Sequence, residues 1–224
     1  MTASPDGKWL AVGTDGKFVR VWNLQSPDQG VAQDLQSHRQ EVTGIALSRD
    51  ALVSSDYSGT VEIYPLDPDA AGPRASLSLN PGILVAEVSR DGRWLVIASP
   101  RSADSGAVIQ AWDLSAPDIP ASGRALTEHE LAVTALAISA DSQWVISGSW
   151  DGTVRRSSLI EPTATSVEIA NFSDEEAEIY CLGITRGRVI VGGRLSAARE
   201  TTSENCLVSV ALDGPCLLYT SRCV

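Results

Sequence analysis

His129, Ser147 and Asp151 are the residue types of a hydrolytic triad, and they lie close together in the chain. Hydrolysis through them would need a serine on a sharp turn, an adjacent base and donors for the developing oxyanion. No nucleophile-elbow sequence surrounds Ser147, whose segment reads VISGSW. Cation binding is a second candidate chemistry, through Asp174, Glu175, Glu176 and Glu178. That run lacks the alternating acids and distal glutamate of a calcium loop, and reads as a solvated loop. Cys181, Cys206, Cys216 and Cys223 contain no C-x-x-C pair, and the chain has only two histidines. Neither a zinc site nor a redox centre is indicated, and a buried thiol or two in a reducing compartment is expected. DGK at 15–17 reads as a turn, because no helix opens after it to cradle phosphate. No metal, cofactor or catalytic set is expected.

The composition narrows the partners. With 43% hydrophobic and 20% charged residues in 224, the chain can bury a core. Seventeen Lys plus Arg against 28 Asp plus Glu give a net charge of −11. That balance repels a nucleic-acid backbone and an anionic membrane, and no Lys/Arg cluster offsets it. The start, MTASPDGKW, is not a secretory signal, and no apolar run approaches the ~18 residues of a membrane span. A cytoplasmic location is expected.

What must position any functional residue is a repeat. SPDG (4–7), SRDG (89–92) and SADS (139–142) recur, with SRD (48–50) as a weaker copy. Each precedes a short apolar run: KWLAVGT, RWLVIAS, WVISGS and, after SRD, ALVSSD. A turn cluster follows, and then a second run: FVRVWNL (18–24), VEIYPLD (61–67), VIQAWDL (108–114) and VRRSSLI (154–160). Runs of about six residues rich in Val, Ile and Trp, bounded by Asp, Gly and Ser, are strands. Asp-Gly pairs suit the positive-φ positions of two-residue hairpin turns. VTGIALS (42–48), ILVAEVS (83–89) and AVTALAIS (132–139) supply a strand before each turn, and RASLSL (74–79) and TSVEIA (165–170) an outer one. The expected class is all-β, built of four-stranded antiparallel units. Trp22, Tyr64, Trp112 and Ser157 mark a period of about 40–45 residues. Units fall at 1–24, 38–67, 74–114, 124–160 and 165–213, the last degraded.

With Trp112-Asp113 as a W-D pair and EHELAVTALAIS followed by SGSWDGTVR, residues 1–214 resemble the WD-repeat β-propeller family. The resemblance implies four to five propeller blades, the first incomplete. That is short of the seven or so common in the family, so the chain is expected to be a fragment of a longer protein. The tail 215–224 fits no blade, and Ala-Pro-Asp linkers such as SAPDIPASGRAL suggest a bacterial style. The family also implies a structural set of His, Ser or Thr, Asp and Trp in each blade. Here it would survive as His129, Ser147 and Asp151, with Ser157 in the Trp place. A second remnant would be His38, Ser54 and Tyr64, with Ser58 in the Asp place. No blade holds all four members, so some blades are expected to be loosely held.

Function implied by the resemblance is rigid presentation of loops to a protein or peptide partner, within a larger signalling chain. Tyr57 and Trp150 sit in tight turns that the family places on the narrow face, with Arg39, Glu41 and Glu130 beside them. Trp9, Trp94 and Trp144, which begin second strands, read as packing between blades. A spacer array without a partner is the alternative. A propeller enzyme is disfavoured, since first-strand positions read Val, Ile, Leu and Ala rather than convergent polar groups.

Overall fold

The computed structural model describes residues 1–14, 16–25, 32–36, 38–66, 72–82, 85–102, 105–161, 163–172, 178–185, 187–195 and 204–211. Asp15, the acids at 174–176, Cys216, Cys223 and the tail 215–224 lie outside them. The described chain is nineteen strands and one 3-10 turn, Pro120–Ser122. They form five antiparallel sheets. The first contains β1 (Thr2–Ala3), β2 (Trp9–Gly13), β3 (Phe18–Asn23) and β4 (Ala32–Gln36) in that order. The second contains β5 (Val42–Leu47), β6 (Ala51–Asp56), β7 (Thr60–Pro65) and β8 (Ala75–Ser78). The third contains β9 (Val85–Val88), β10 (Trp94–Ser102), β11 (Ser105–Asp113) and β12 (Arg124–His129). The fourth contains β13 (Val133–Ile138), β14 (Trp144–Ser149), β15 (Thr153–Ser158) and β16 (Val167–Asn171). The last has β17 (Glu178–Thr185), β18 (Arg188–Leu195) and β19 (Glu204–Ala211).

These sheets are offset from the sequence units by one strand. Ala75–Ser78 closes the second sheet and Arg124–His129 the third, each ahead of the first strand of the next sheet. Alternation explains why the strands form. In β3 and β6 one set of side chains, Val19, Val21, Leu52, enters a core with Ala11, Leu47 and Tyr64. A second core joins Val53, Val61 and Ile63 to Leu95, Ile97 and Trp112. A third joins Ile146, Val154 and Ile169 to Ile179, Val189 and Val191. Within each of these three pairs of sheets, first on second, second on third and fourth on fifth, apolar faces are buried on one another, at about 25 cal/mol per Å² of apolar surface removed from water.

The S-x-D-G turns correct the expected two-residue hairpin. Four residues separate Ser89 from Trp94, whose carbonyl accepts the Ser89 N–H at 2.8 Å. The Ser89 hydroxyl accepts from the Trp94 N–H and donates to Asp91. That side-chain pairing fixes the loop, so only its third position needs positive φ. Gly92 takes it at 75°, and Ser142 accepts the same region at 58° in the fourth sheet. In three sheets the first strand carries a bulge near its start, between Val42 and Gly44, Val133 and Ala135, and Ile179 and Cys181. Cys181 is an exposed free thiol; it falls at this bulge, where alternation breaks.

The chain forms two compact units, residues Met1–Pro100 with Gln110–Arg124, and Arg101–Ile109 with Ala125–Val224. The chain crosses between them within the third sheet.

Candidate functional site

Two histidine-centred knots lie at the ends of outer strands. His129, the last residue of β12, is 1% exposed. Its Nε2 is 2.8 Å from the Ser147 hydroxyl on β14, and its Nδ1 is 3.0 Å from Asp151. The Thr153 hydroxyl lies 3.1 Å from the same Nδ1. Asp151 also accepts from the backbone N–H of Glu130 and of Thr153. Burial pushes the Asp151 carboxyl up, but His129, the Thr153 hydroxyl and the Thr153 amide outweigh it and hold it well below the usual carboxylate range. Ser157, in the expected Trp place, is buried and its hydroxyl finds no hydrogen-bond partner. The fourth-sheet knot therefore reaches the third strand only at its first residue, Thr153, and not at Ser157.

The second knot departs from the sequence reading. His38 Nε2 is 2.7 Å from the Ser54 hydroxyl. The acid facing its Nδ1, at 3.4 Å, is Asp56 rather than a residue at position 58. Ser58 instead donates its hydroxyl to Asp56 at 2.6 Å, and the amides of Ser58 and Thr60 bond the same oxygen. The register explains the exchange: Asp56 pairs with Val42 as Ser149 pairs with Val133, so acid and serine have traded places between the two turns. Burial raises the Asp56 carboxyl, yet the Ser58 hydroxyl, the Thr60 amide and His38 bring it net below its ordinary value. Tyr64 is buried in the first core.

Ser147, His129 and Asp151 are spaced as a hydrolytic triad would be, but the serine is 1% exposed. A nucleophile must reach a carbonyl, and this one is sealed under its own turn. The arrangement can order a turn; it cannot attack a substrate. Among the described residues no group of three or more His, Cys, Asp or Glu is placed to hold a metal. Glu87 on β9 is a first-strand acid that the sequence reading passed over; burial pushes its carboxyl up.

Outside the knots, large side chains face solvent. Trp150 is 46% exposed, and its amide bonds the Ala132 carbonyl at 3.0 Å. Leu131, between Glu130 and Ala132, is 51% exposed and was not foreseen. Tyr180 is exposed at the bulge of β17 and donates its hydroxyl to Glu178. The Thr134 hydroxyl, on the start of β13, donates to the Ile179 carbonyl and sets these two strand starts side by side. Tyr57 occupies the matching turn of the second sheet, 64% exposed, its amide bonded to the Glu41 carbonyl. Arg39 and Glu41 are exposed beside it, as Glu130 is beside Trp150.

Successive antiparallel sheets of three or four strands, two of them stitched at their turns by buried His–Ser–Asp sets, have the arrangement of β-propeller blades. The comparisons agree. Residues 1–23 and 121–155 match the family "WD domain, G-beta repeat". The chain is 26% identical over 170 residues to the Periodic tryptophan protein 2 homolog of Caenorhabditis elegans, covering 75% of this chain and 18% of that protein. A chain in the crystal structure of a mitotic checkpoint complex superposes with a TM-score of 0.70 at 17% identity, over 98% of this chain and 65% of that one. The β-propeller domain of Myceliophteria thermophila Cps50 (Swd1) gives 0.64 at 17% identity, over 97% and 69%. No helix among the described residues is long and apolar enough to cross a membrane.

Proposed function

We propose that this chain is a non-enzymatic binding module that presents the turns between second and third strands to a protein or peptide partner. Propellers of the WD type generally mediate protein–protein interaction. The observation that carries the reading here is Trp150 with Leu131, both about half exposed, over a turn immobilised by the His129 knot. An aromatic held rigidly in solvent binds with little ordering cost. Glu130 and Glu178 give that end of the fourth and fifth sheets an acidic rim, which favours a partner segment with an apolar anchor flanked by basic residues. In the other unit, Tyr57 with Arg39 and Glu41 forms a smaller surface of the same kind. The chain spans 18% of its nematode relative, and the module is read as one part of a larger regulatory protein.

The test is site-specific photo-crosslinking from position 150, with Trp150→Ala assayed for affinity to whatever partner is captured. A loss of tenfold or more with an unchanged unfolding midpoint supports the reading. Unchanged affinity leaves the spacer alternative as the better account.

A further inference from the structure

Three second strands begin with tryptophan, and the backbone makes their positions equivalent. The amides of Trp9, Trp94 and Trp144 bond the hydroxyls of Ser4, Ser89 and Ser139. The preceding residues, Lys8, Arg93 and Gln143, accept from the amides of Leu24, Leu114 and Leu159. Two of these indoles carry a cation supplied by the chain itself. Arg93 lies 4.8 Å and Arg124 5.4 Å from the Trp94 ring, and Arg156 lies 4.5 Å from the Trp144 ring. Arg93 is held there by two bonds to Asp113.

Among the described residues no cation lies over Trp9, and two substitutions explain why. Lys8 stands where Arg93 does, and Asn23 stands where Asp113 does. Without the acid to draw it across the ring, the Lys8 ammonium turns to Asp6, 3.8 Å away. Trp9 instead lines an open groove of about 440 Å³ with Asp6, Asn23 and, from the second sheet, Arg49, Asp50 and Leu66. That volume is within the range of ligand clefts, roughly 300–1,000 Å³. Trp9 packs in part on the first core, so the indole is held in place.

We propose that the groove between the first and second sheets is a docking slot for an arginine side chain of a partner protein, its guanidinium lying on Trp9 and paired with Asp50. The guest would take the position that Arg93 fills over Trp94. A guanidinium suits it better than an ammonium, because its plane stacks on indole while its edge meets the carboxylate. Among the described residues Asp50 has no side-chain partner to give up, and the chain's net charge of −11 draws cationic segments toward it. Arg49 and Lys8 make an acidic guest the competing outcome. This site is independent of Trp150.

The full 224-residue chain, labelled with nitrogen-15, tests the slot through its indole N–H resonances. N-acetyl-arginine methylamide is the probe, with the citrulline and glutamate analogues as neutral and acidic controls. A saturable shift of the Trp9 indole by the arginine probe alone is expected. Asp50→Ser should weaken it about tenfold, and the double variant Lys8→Arg, Asn23→Asp should abolish it by rebuilding the internal lid. Trp150→Ala should bind the probe as the unmodified chain does. An unmoved Trp9 resonance, an equal response to citrulline, or a response to glutamate instead would each overturn the proposal. If the double variant does not fold, Asp50→Ser, an exposed substitution, decides alone.

Discussion

Exchanging the acid between positions 56 and 58 tests the account of the knots more sharply than deleting either histidine. In the second sheet one Asp56 oxygen accepts from the Ser58 amide at 2.9 Å, the Ser58 hydroxyl at 2.6 Å and the Thr60 amide at 3.1 Å, while the other faces His38. Asp56→Ser strips the carboxylate from all four, at a residue that is itself fully buried. Bonds to a charged acceptor contribute about 1.5–3 kcal/mol each and are not additive, and the serine replaces one of them. A loss of about 3 kcal/mol is expected. Adding Ser58→Asp should restore most of it. The donors that serve Asp151 in the fourth sheet are His129, the Glu130 amide, and the Thr153 amide and hydroxyl. His38, Arg39 and Thr60 occupy the same places around position 58. Urea unfolding at neutral pH reads both variants, with the slope compared to show that the unfolded reference is unchanged. If the double variant is no more stable than Asp56→Ser alone, the two turns are not interchangeable and the reciprocal-exchange argument fails.

Three further outcomes follow from the same geometry. Asp56 and Asp151 titrate below their unfolded values, so their stabilisation is complete above the ordinary carboxylate range and is lost as pH falls from about 4 downward; the urea midpoint should drop in acid, and less steeply in Asp151→Asn. Gly148→Ala should destabilise the chain by about 1–3 kcal/mol in the same assay, because a Cβ there would stand 2.7 Å from Ile179 and 3.2 Å from Leu182 on the neighbouring sheet. Cys181, exposed on β17, should react with maleimide in the native state at a rate close to that of a free thiol.

The strands were legible because their side chains alternate and their turns carry Ser, Asp and Gly at fixed offsets. Val19, Val21, Leu52 and Ile146 could be assigned to a core on that pattern alone. The knot residues were legible as residue types, since a buried His needs partners and Ser54, Ser147 and Asp151 stand at recurring places. Asp56 was not. Matching by position looked for an acid two residues later, whereas the carboxylate reaches the same imidazole from either side of a tight turn. Leu131 and Glu87 were missed for opposite reasons. The pattern of a single strand does not say that an apolar residue will be left in solvent, nor that an acid will be drawn under cover. The groove at Trp9 involves two sheets at once, and only the placement of Leu66, Arg49 and Asp50 beside the first sheet discloses it.

The offset between sequence unit and sheet has a consequence for how such an array could lengthen. A duplicated stretch running from His38 to just before His129 carries one whole knot, the four strands of the second sheet and the third sheet up to the end of its outer strand. If the insertion falls just before a histidine, as between β4 and His38, the preceding sheet keeps its outer strand and the newcomer arrives with all four of its own. At His129 the histidine is itself the end of the outer strand, so the same duplication would have to divide one residue's two duties. Growth is therefore permitted at one junction of this chain and obstructed at the other, a difference set by the few residues that separate a strand end from its imidazole.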